Sequence, residues 1–358
     1  MRSFTECHPG QQRVWLCHES SVQSLISNSM KLLILTDGIN GVVYHRLFTP
    51  HLRMQIDGQA DVSVCQSQEE WLTLDYTQFD VIIFSRWLGA KHYDVLKKIA
   101  DSGTPYVVDI DDYWVLPKYN PAYWNYRKGI KQGVKDAINY ADAVITTTPA
   151  LAKEIRQINE NVTVVSNCLD LTHKQWEAEP QPRTDKIKVG WVGGVTHEED
   201  LKLIAEEIKG MDIEFYICGY TPGEIWNRIA KSMPDAKIVE GTTVFEYGEV
   251  YKHFDIVVAP LQNTKFNNCK SELKILEASA YKKPIICSAV LPYLYHTAND
   301  GVLFLPRNQW RSGIQKLIDA GHGVRQSMGQ SNYDYCNKHH NLALHNLTRM
   351  SVYQSLCK

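Results

Sequence analysis

The sequence lacks the long apolar run and the charge imbalance that would indicate a membrane protein or a nucleic-acid binder. A helix that spans a bilayer needs about 20 apolar residues, and no segment of the 358 residues approaches this. Residues 1–30 carry charged side chains and no apolar segment typical of a secretion signal. We predict an N-terminal extension there, either without regular structure or forming an additional element. The formal net charge of −2 gives no indication of nucleic-acid binding. We expect a cytoplasmic protein and leave peripheral contact with a membrane open.

The nine cysteines and thirteen histidines lack the spacings of a disulfide framework or a metal site. The number of cysteines is odd and no C-x-x-C pair occurs, which favours reduced thiols in a cytosolic chain. We expect the pair His339-His340 to face solvent, and we predict no metal site. The patterns G-x-x-x-x-G-K-S/T, G-x-S-x-G and H-E-x-x-H are also absent.

Apolar strand candidates alternate with helix candidates along nearly the whole chain. FDVIIFSR (79–86) and DIVVAPL (255–261) are the strongest strands. Continuous apolar strands joined by helices predict parallel sheets with both faces covered. The alternation stops at 173–186, a stretch rich in proline and charge that we interpret as a linker. We therefore predict an α/β protein with two Rossmann-like domains, 31–172 and 187–337, and a final helical tail over about 326–356.

One strand-to-helix region carries an unusual charge pattern at the place where α/β sheets bind ligands. In KSELKILEASAYKKPIICS, Lys270 and Lys274 lie at the start of a predicted helix, where acidic residues are the usual choice. We predict Ser271 as the N-cap of this helix and a phosphate between the lysines. Glu277, one turn further on, can accept hydrogen bonds from ribose hydroxyls. The alternative is a surface helix with a Lys274–Glu277 ion pair.

Two glycine-containing turns follow strand candidates, one in each half. GWVGGVTH places Gly193 and Gly194 where the backbone can approach an anion, with Thr196 and His197 as candidate donors to a phosphate or a sugar hydroxyl. DGINGVVYHR repeats this geometry, and Gly41 can lie beside a sugar. In each case the alternative is a purely structural turn, with Thr196 as a helix N-cap.

Three acidic residues end the strand candidate TPYVVDIDD. Asp109 and Asp111 project to one side of the strand, and Asp112 projects to the other. Such a group can bind a divalent metal, act as a general base or hydrogen-bond a hydroxylated substrate. A solvated loop is the alternative.

Six segments, in this order and spacing, resemble the family 4 glycosyltransferases, which are retaining, nucleotide-sugar-dependent enzymes of the GT-B fold. The segments are GINGVVYHRLFTP, VVDIDDYW, ADAVITTTPALAKEI, NVTVVSNCLD, KVGWVGGVTHEEDLKLI and KSELKILEASAYKKPIICS. The resemblance covers about residues 31–320, and the D-I-D-D element is typical of a subgroup. It implies that 31–172 is an acceptor domain and 187–337 a donor domain, which face each other across a cleft. It also implies that a helix over about 338–358 packs back on the first domain.

The resemblance gives roles to individual positions. Glu277 corresponds to the second acid of the family's E-x7-E element, which holds the donor ribose, whereas Cys269 stands in place of the first acid. The glycine turn at Gly193 corresponds to the one that faces the donor diphosphate, without the arginine that often follows it. Together, residues and resemblance predict catalytic Asp111, Asp112 and Glu277, donor-binding Gly41, Gly193, Gly194, Thr196, His197, Lys270, Ser271, Lys274 and Glu277, and acceptor-side Tyr44, Arg86 and Asp109.

The expected activity is transfer of a sugar from a nucleoside-diphosphate sugar to the hydroxyl of a glycan, a lipid-linked molecule or another acceptor, with retention of anomeric configuration. The nucleotide sugar is a substrate, and the resemblance implies neither a cofactor nor a metal. The alternatives are a GT-B epimerase or phosphorylase-like protein, and a non-catalytic sugar- or nucleotide-binding module. Cys269 favours the module, whereas the retained group Lys270, Ser271, Lys274 and Glu277 argues for an enzyme.

Overall fold

Two six-stranded sheets form the framework of the protein. The computed structural model describes residues 29–86, 92–177, 185–306 and 309–357. The extension predicted over residues 1–30 lies outside these ranges apart from its last two residues. Seven residues of the predicted linker, 178–184, lie outside them as well.

The strands pair in parallel throughout both sheets. Those of the first sheet are β1 Met30–Leu35, β2 Ala60–Cys65, β3 Val81–Ser85, β4 Tyr106–Ile110, β5 Ala143–Thr146 and β6 Val162–Val164. Those of the second sheet are β7 Ile187–Val192, β8 Ile213–Tyr220, β9 Lys237–Glu240, β10 Ile256–Ala259, β11 Ile285–Ser288 and β12 Val302–Leu305. The spatial orders are β2-β1-β3-β4-β5-β6 and β12-β11-β10-β7-β8-β9.

This topology confirms the predicted α/β fold with two Rossmann-like domains. Counted from β7, the second sheet has the order 3-2-1-4-5-6 of a dinucleotide-binding fold. Every residue of β3, β4, β5, β10 and β11 is buried, because helices cover both faces of each sheet. The strand order reverses between β1 and β3 and between β7 and β10, so these strand ends are where ligands are expected.

Helices connect the strands and cover the sheets. In the first half the α-helices are Gly41–Val43, Thr49–Ile56, Gln68–Trp71, Tyr93–Ser102, Tyr123–Asn125, Lys131–Tyr140 and Pro149–Ile155. In the second half they are Glu198–Ala205, Glu224–Ser232, Lys265–Asn268, Leu273–Ala280, Leu291–Leu294, Trp310–Asp319, Gly321–His339 and Leu342–Leu356. Short 3-10 helices occur at Tyr76–Gln78, Lys174–Trp176, Val195–His197 and Tyr247–His253.

A π-helical segment interrupts the helix that follows β1. The segment Tyr44–Phe48 lies between the α-helical Gly41–Val43 and Thr49–Ile56, so the helix that the sequence predicts here is not regular. A π segment widens one turn and changes the direction of its side chains, and such segments are frequent at functional sites. Here it buries His45 and Arg46, whose contacts are described below.

The tail predicted over about 326–356 is helical, and a turn at His340 divides it into two helices. The helix Gly321–His339 ends there, and Asn341 caps the next helix through a hydrogen bond from the amide of Leu344 at 3.2 Å. The ring of His340 stacks on that of His296 at a centroid distance of 5.0 Å. The expectation that His340 faces solvent is therefore wrong, whereas His339 is exposed.

The helix Leu342–Leu356, called the C-terminal helix from here on, packs on the first domain. Asn346 Nδ2 donates to the carbonyl oxygen of Pro50 at 2.8 Å. Tyr353 Oη lies 2.8 Å from His51 Nε2, and both side chains are fully buried. The first domain is thus built from both ends of the described chain.

The predicted linker contributes buried side chains. Gln175 and Trp176 form part of a 3-10 helix and are buried. Gln175 Nε2 donates to the hydroxyl of Tyr44 at 2.6 Å, while its Oε1 accepts from the amide of Gly248 at 3.1 Å. The residues that follow the first domain therefore hold elements of both domains.

Within the described ranges, no helix combines the length and the apolar character that crossing a bilayer requires. The seven cysteines in this part of the chain are all unpaired, and six of them are buried.

Candidate functional site

The largest cavity that we describe is a cleft of about 1090 Å³ between the two sheets. It lies at the carboxyl ends of strands from both domains. Ten of the predicted site residues line it: Gly41, Asp111, Asp112, Gly193, Gly194, His197, Lys270, Ser271, Lys274 and Glu277. The other four, Tyr44, Arg86, Asp109 and Thr196, do not line it.

The glycine turn after β7 is shaped by packing as well as by access to the cleft. A Cβ on Gly193 would lie 2.5 Å from the ring of Trp191, so a side chain does not fit there. The amide of Gly193 donates to the carbonyl oxygen of Cys218 at 3.0 Å and is used within the sheet. Gly194 is exposed to the cleft, and nothing lies near its Cβ position. We conclude that Gly194 is the more open of the two glycines for close approach of a ligand to the backbone.

The neighbours of this turn are arranged differently from the sequence-based prediction. His197 Nδ1 lies 2.8 Å from Asp200 Oδ2, and burial lowers the pKa of His197, so its imidazole is mainly neutral at pH 7. Thr196 is exposed and is not the N-cap of the helix Glu198–Ala205, where His197 occupies that position.

The lysine-rich helix begins later than the sequence predicts. The helix Leu273–Ala280, called the Leu273 helix below, has Glu272 at its N-cap position, and the side chain of Glu272 makes no capping bond. The prediction of Ser271 as N-cap is wrong, because Ser271 Oγ accepts a hydrogen bond from Asn167 Nδ2 of the first domain at 2.8 Å. Ser271 therefore joins the two domains at the edge of the cleft.

The two lysines of this region are partly buried and contact acidic partners. Lys270 Nζ lies 3.6 Å from Asp112 Oδ1 of the first domain. Lys274 Nζ lies 3.7 Å from Glu277 Oε2 within the Leu273 helix. Both ammonium groups line the cleft. Since the side chains are about one fifth exposed, with fractions of 18% and 19%, a phosphate that enters the cleft can reach them from the solvent side.

Glu277 is held by two tyrosines. Tyr247 Oη donates to Glu277 Oε1 at 2.6 Å, and Tyr251 Oη donates to Oε2 at 2.5 Å. The residue is only 2% exposed, which contradicts the alternative of a surface helix. Each carboxylate oxygen keeps further acceptor capacity, so Glu277 can still receive hydroxyls from the cleft.

The hydrogen bonds of Glu277 extend into the first domain through His45. His45 Nε2 lies 2.6 Å from Tyr247 Oη. Burial lowers the pKa of His45 to about 4, so its imidazole is neutral at pH 7. The hydroxyl hydrogen of Tyr247 is used in the hydrogen bond to Glu277. The neutral imidazole of His45 therefore donates to the tyrosine oxygen through its Nε2–H. A continuous chain of hydrogen bonds thus runs across the cleft from His45 to Glu277.

On the first-domain side, a buried arginine that the sequence analysis did not identify organises the strand ends. Arg46 donates to both oxygens of Asp109, at 2.7 and 3.1 Å, and to Asn167 Oδ1 at 3.1 Å. Asp109 is therefore engaged below the cleft and does not face it. Arg46 lines the cleft floor and, through Asn167, supports Ser271.

Arg86 holds the other two acids of the D-I-D-D element. Its guanidinium lies 3.3 Å from Asp111 Oδ1 and 3.4 Å from Asp112 Oδ2. Burial raises the pKa of Asp111 above its usual value, although Arg86 opposes this. Burial acts in the same direction on Asp112, but Lys270 and Arg86 outweigh it and lower its pKa. Asp112 is consequently the firmly ionised carboxylate of the pair, and Asp111 is the one that takes up a proton more readily.

Cys269 does not replace the missing acid of the E-x7-E element. It is buried, and burial raises the pKa of its thiol to about 11, so it is neutral at pH 7. Cys269 lines a separate cavity of about 530 Å³ together with residues such as Pro149 and Tyr295.

Four residues of the site were missed from sequence, namely His45, Arg46, Tyr247 and Tyr251. The two tyrosines in YGEVY are a signal, because both lie in one short segment of the chain. His45 and Arg46 gave no signal, because their partners lie far away in the sequence.

Residues 186–320 match the family model described as glycosyl transferases group 1. No curated protein sequence matches the chain significantly. Among solved structures, sucrose-phosphate synthase from Thermosynechococcus elongatus aligns with a TM-score of 0.68 and 13% identity over 92% of this chain and 99% of that one. HepE from Anabaena, in complex with UDP-glucose, aligns with a TM-score of 0.66 and 11% identity over 91% and 99%.

A UDP-forming trehalose-phosphate synthase from Burkholderia xenovorans aligns with a TM-score of 0.63 and 9% identity over 92% of this chain and 100% of that one. At these identities the structures establish the fold, which is that of the GT-B glycosyltransferases. The match to the glycosyl transferases group 1 model lies within the second domain.

Proposed function

We propose that the chain is a retaining glycosyltransferase of family 4, from the subgroup with a D-I-D-D element. In this proposal it transfers a sugar from a nucleoside-diphosphate sugar to an acceptor hydroxyl. The observation that carries the proposal is that Lys270, Lys274, the exposed turn at Gly194 and the buried Glu277 all meet in one cleft between the domains. Two cations suit a diphosphate, and the carboxylate lies one helical turn away, within the span of a nucleotide.

Loss of the nucleoside diphosphate is the step that these groups assist. Negative charge grows on the leaving phosphate as the bond to the sugar breaks. Lys270 and Lys274 are positioned before the reaction begins, so they stabilise that charge with little reorganisation. The acceptor hydroxyl attacks in a cleft whose walls come from both domains, which limits competition by water.

The acidic pair on the first domain suits the acceptor. Asp111 and Asp112 lie across the cleft from the Leu273 helix, and Arg86 fixes both. A carboxyl group with a raised pKa, such as Asp111, can take up the proton that the attacking hydroxyl releases. A glycan or a lipid-linked sugar is the proposed acceptor class.

The transfer is proposed to need no cofactor, because the lysines already supply positive charge at the phosphates. The nucleotide sugar itself is the donor substrate. The unpaired cysteines fit action in a reducing compartment such as the cytoplasm. The related HepE structures contain UDP, and one of them contains UDP-glucose, so uridine nucleotides are the first candidates to test.

Calorimetric titration with UDP, GDP and ADP tests the donor site. We expect selective binding of one diphosphate, weakened at least about tenfold in Lys274→Ala, which loses a charge-assisted contact. Glu277→Ala should lose the preference for ribose over deoxyribose in that nucleotide. Lys265→Ala is the matched control, because Lys265 lines the separate cavity. Absence of binding by all three nucleotides, or equal loss in Lys265→Ala, would overturn the donor-site assignment.

One observation favours a second candidate, a non-catalytic nucleotide- or sugar-binding module. The first acid of E-x7-E is replaced by Cys269, which is neutral and faces away from the cleft. Incubation of the wild-type chain with the matching nucleotide sugar separates the candidates. A glycosyl product with the donor's anomeric configuration supports the transferase, an isomerised nucleotide sugar indicates an epimerase, and tight binding without turnover indicates the module.

A further inference from the structure

Outside the cleft, three potential metal ligands converge from distant parts of the chain. A carboxylate oxygen of Glu272 and a ring nitrogen of each of His296 and His340 all lie within 4.8 Å of one another. Glu272 immediately precedes the Leu273 helix, whereas His296 follows the short helix Leu291–Leu294. His340 occupies the turn before the C-terminal helix.

This cluster is buried, and two of its polar atoms have no hydrogen-bond partner in the described part of the chain. Glu272 and His296 are each 2% exposed. Glu272 Oε1 and His296 Nδ1 lack a hydrogen bond. A buried polar atom without a partner destabilises a protein, because its lost hydration is not replaced. Two such atoms in one small cluster therefore indicate a ligand that satisfies both.

The three groups already approach one another without an ion. His340 Nδ1 lies 3.5 Å from Glu272 Oε1, the carboxylate oxygen that lacks a hydrogen bond. The ring of His296 stacks on that of His340. A divalent ion between them would bind the carboxylate and both rings.

We propose that Glu272, His296 and His340 form a binding site for a divalent transition metal, with zinc as the preferred ion. Two imidazoles and one carboxylate are zinc ligands in many proteins, and a fourth position remains for water. With bonds of about 2.0–2.2 Å, tetrahedral geometry places ligand atoms about 3.4 Å apart. The cluster therefore contracts on binding. The two rings are parallel to within 11°, so one of them turns about its Cβ–Cγ bond to face the ion.

One of the three ligands also contacts the first domain. His340 Nδ1 lies 3.2 Å from the carbonyl oxygen of Asn167, and the same nitrogen lies 3.5 Å from Glu272 Oε1. Asn167 also donates to Ser271, so His340 contacts a first-domain residue at the edge of the cleft.

The site is separate from the transfer cleft, since none of its three ligands lines that cleft. Its ligands instead join the start of the Leu273 helix to the turn before the C-terminal helix. The ion thereby fastens the helix that follows Lys270 and Ser271 to the segment that returns to the first domain. Its role is structural, and the inference does not depend on the proposed activity.

Calorimetry with zinc chloride on the chelator-treated, tag-free chain tests the site. We expect one equivalent to bind and the melting temperature to rise. His296→Gln and His340→Gln should each weaken zinc binding by more than about 100-fold, since loss of a direct ligand costs more than the 10–100-fold loss seen for supporting residues. His339→Gln is the matched control, because this neighbouring histidine is exposed and outside the cluster. It should bind zinc as the wild type does.

Cobalt substitution keeps the test decisive if a histidine variant fails to fold. Cobalt bound to the wild type should give the strong visible absorption of a tetrahedral site, and Glu272→Gln, which preserves side-chain shape, should change that spectrum. Absence of stoichiometric zinc binding by the wild type would overturn the proposal. Binding that survives in folded His296→Gln and His340→Gln would overturn it as well.

Discussion

Asp112, on the first-domain wall of the cleft, partly neutralises the positive charge of Lys270 on the opposite wall. Its two oxygens contact Lys270 of the second domain and Arg86 of the first. In the ligand-free protein Asp112 is therefore paired with Lys270, one of the two lysines of the proposed diphosphate site. The negative carboxylate of Asp112 repels a bound diphosphate, which is also negative, and so weakens its binding.

Asp112→Asn should tighten binding of the preferred nucleoside diphosphate by about fivefold. The substitution removes a negative charge several ångströms from the phosphates, and at the effective dielectric of such a site this repulsion amounts to about 1 kcal/mol. Asp111→Asn is the matched control, since Asp111 contacts Arg86 and no ion pair joins it to Lys270 among the described residues. Calorimetric titration of both variants measures the difference. An unchanged or weaker affinity in Asp112→Asn would contradict the proposed position of the diphosphate beside Lys270.

At the residue scale, sequence analysis identified the charged side chains of the site but not the residues with which they pair. The cluster of Lys270, Lys274 and Glu277 is local, because all three lie within one short stretch of the sequence. The capping role given to Ser271 was wrong because its hydroxyl is engaged by Asn167, 104 positions away in the sequence. Arg46 was missed for the same reason, since Asp109 is its partner across 63 positions.

At the scale of elements, the C-terminal helix is held to the first domain by buried polar contacts. His51 lies between the carbonyl oxygen of Leu47 and the hydroxyl of Tyr353, at 2.6 and 2.8 Å. Burial lowers the pKa of His51 to about 3. The ring is thus neutral in the native protein over a pH range in which an unfolded histidine, with a pKa of about 6.5, becomes charged.

This difference predicts a pH dependence of stability. Below pH 6.5 the unfolded chain binds a proton at His51 and the native chain does not, so the free energy of unfolding falls as the pH is lowered from 6.5 towards 3. The contribution of His51 approaches about 1.4 kcal/mol per pH unit. Urea unfolding at pH 7.0, 6.0 and 5.0 measures it. His51→Gln should be less stable at pH 7 but should lose less stability on acidification, and an equally steep fall in both proteins would contradict the assignment.

Strands were easier to predict than helix ends. The strands that the sequence indicated at 79–86 and 255–261 correspond to β3 and β10, because burial on both faces leaves a continuous apolar run. The start of the C-terminal helix was predicted at about 338, whereas it begins at Leu342 after Asn341, a preferred N-cap residue. Helical periodicity on both sides of a short turn resembles one longer helix, so only the caps distinguish the two cases.

At the scale of the whole molecule, the domains share a hydrophobic core as well as the cleft. Phe266, from the second domain, is buried in the core cluster that contains Tyr113, Trp114 and Leu151 of the first. Lys265, next to it, pairs with Glu154 of the first domain at 2.7 Å. The domains therefore stabilise each other at a point away from the hydrogen bonds that cross the cleft.

Phe266→Ala should lower the free energy of unfolding by about 3–5 kcal/mol and speed amide exchange in both domains, because the lost ring belongs to a core that both share. Hydrogen exchange read by mass spectrometry resolves the two domains. Trp226→Ala, which removes a buried ring from a core cluster formed by second-domain residues, is the matched control and should speed exchange there but not around Trp114. Identical exchange patterns for the two variants would show that Phe266 does not couple the domains.

The two-domain architecture followed from the strand pattern, but the way the domains are joined did not. The stretch 173–186 was interpreted as a linker from its proline and charge content, yet its Gln175 and Trp176 are buried and contact both domains. The metal-ligand cluster was also invisible in sequence, because Glu272, His296 and His340 are separated by 24 and 44 positions. Spacing rules detect ligands that lie on one element, whereas this cluster depends on three.

The hydrogen bond between Asn346 and Pro50 sets an order of events during protein synthesis. The two residues are 296 positions apart. At roughly 5–20 residues per second, a ribosome needs roughly 15–60 s to reach the second partner after it has made the first. Throughout that interval the surface of Thr49–Ile56 that receives the C-terminal helix has no covering segment. The second domain, whose strands are contiguous in sequence, is complete earlier, so the half that is translated first is the half that is finished last.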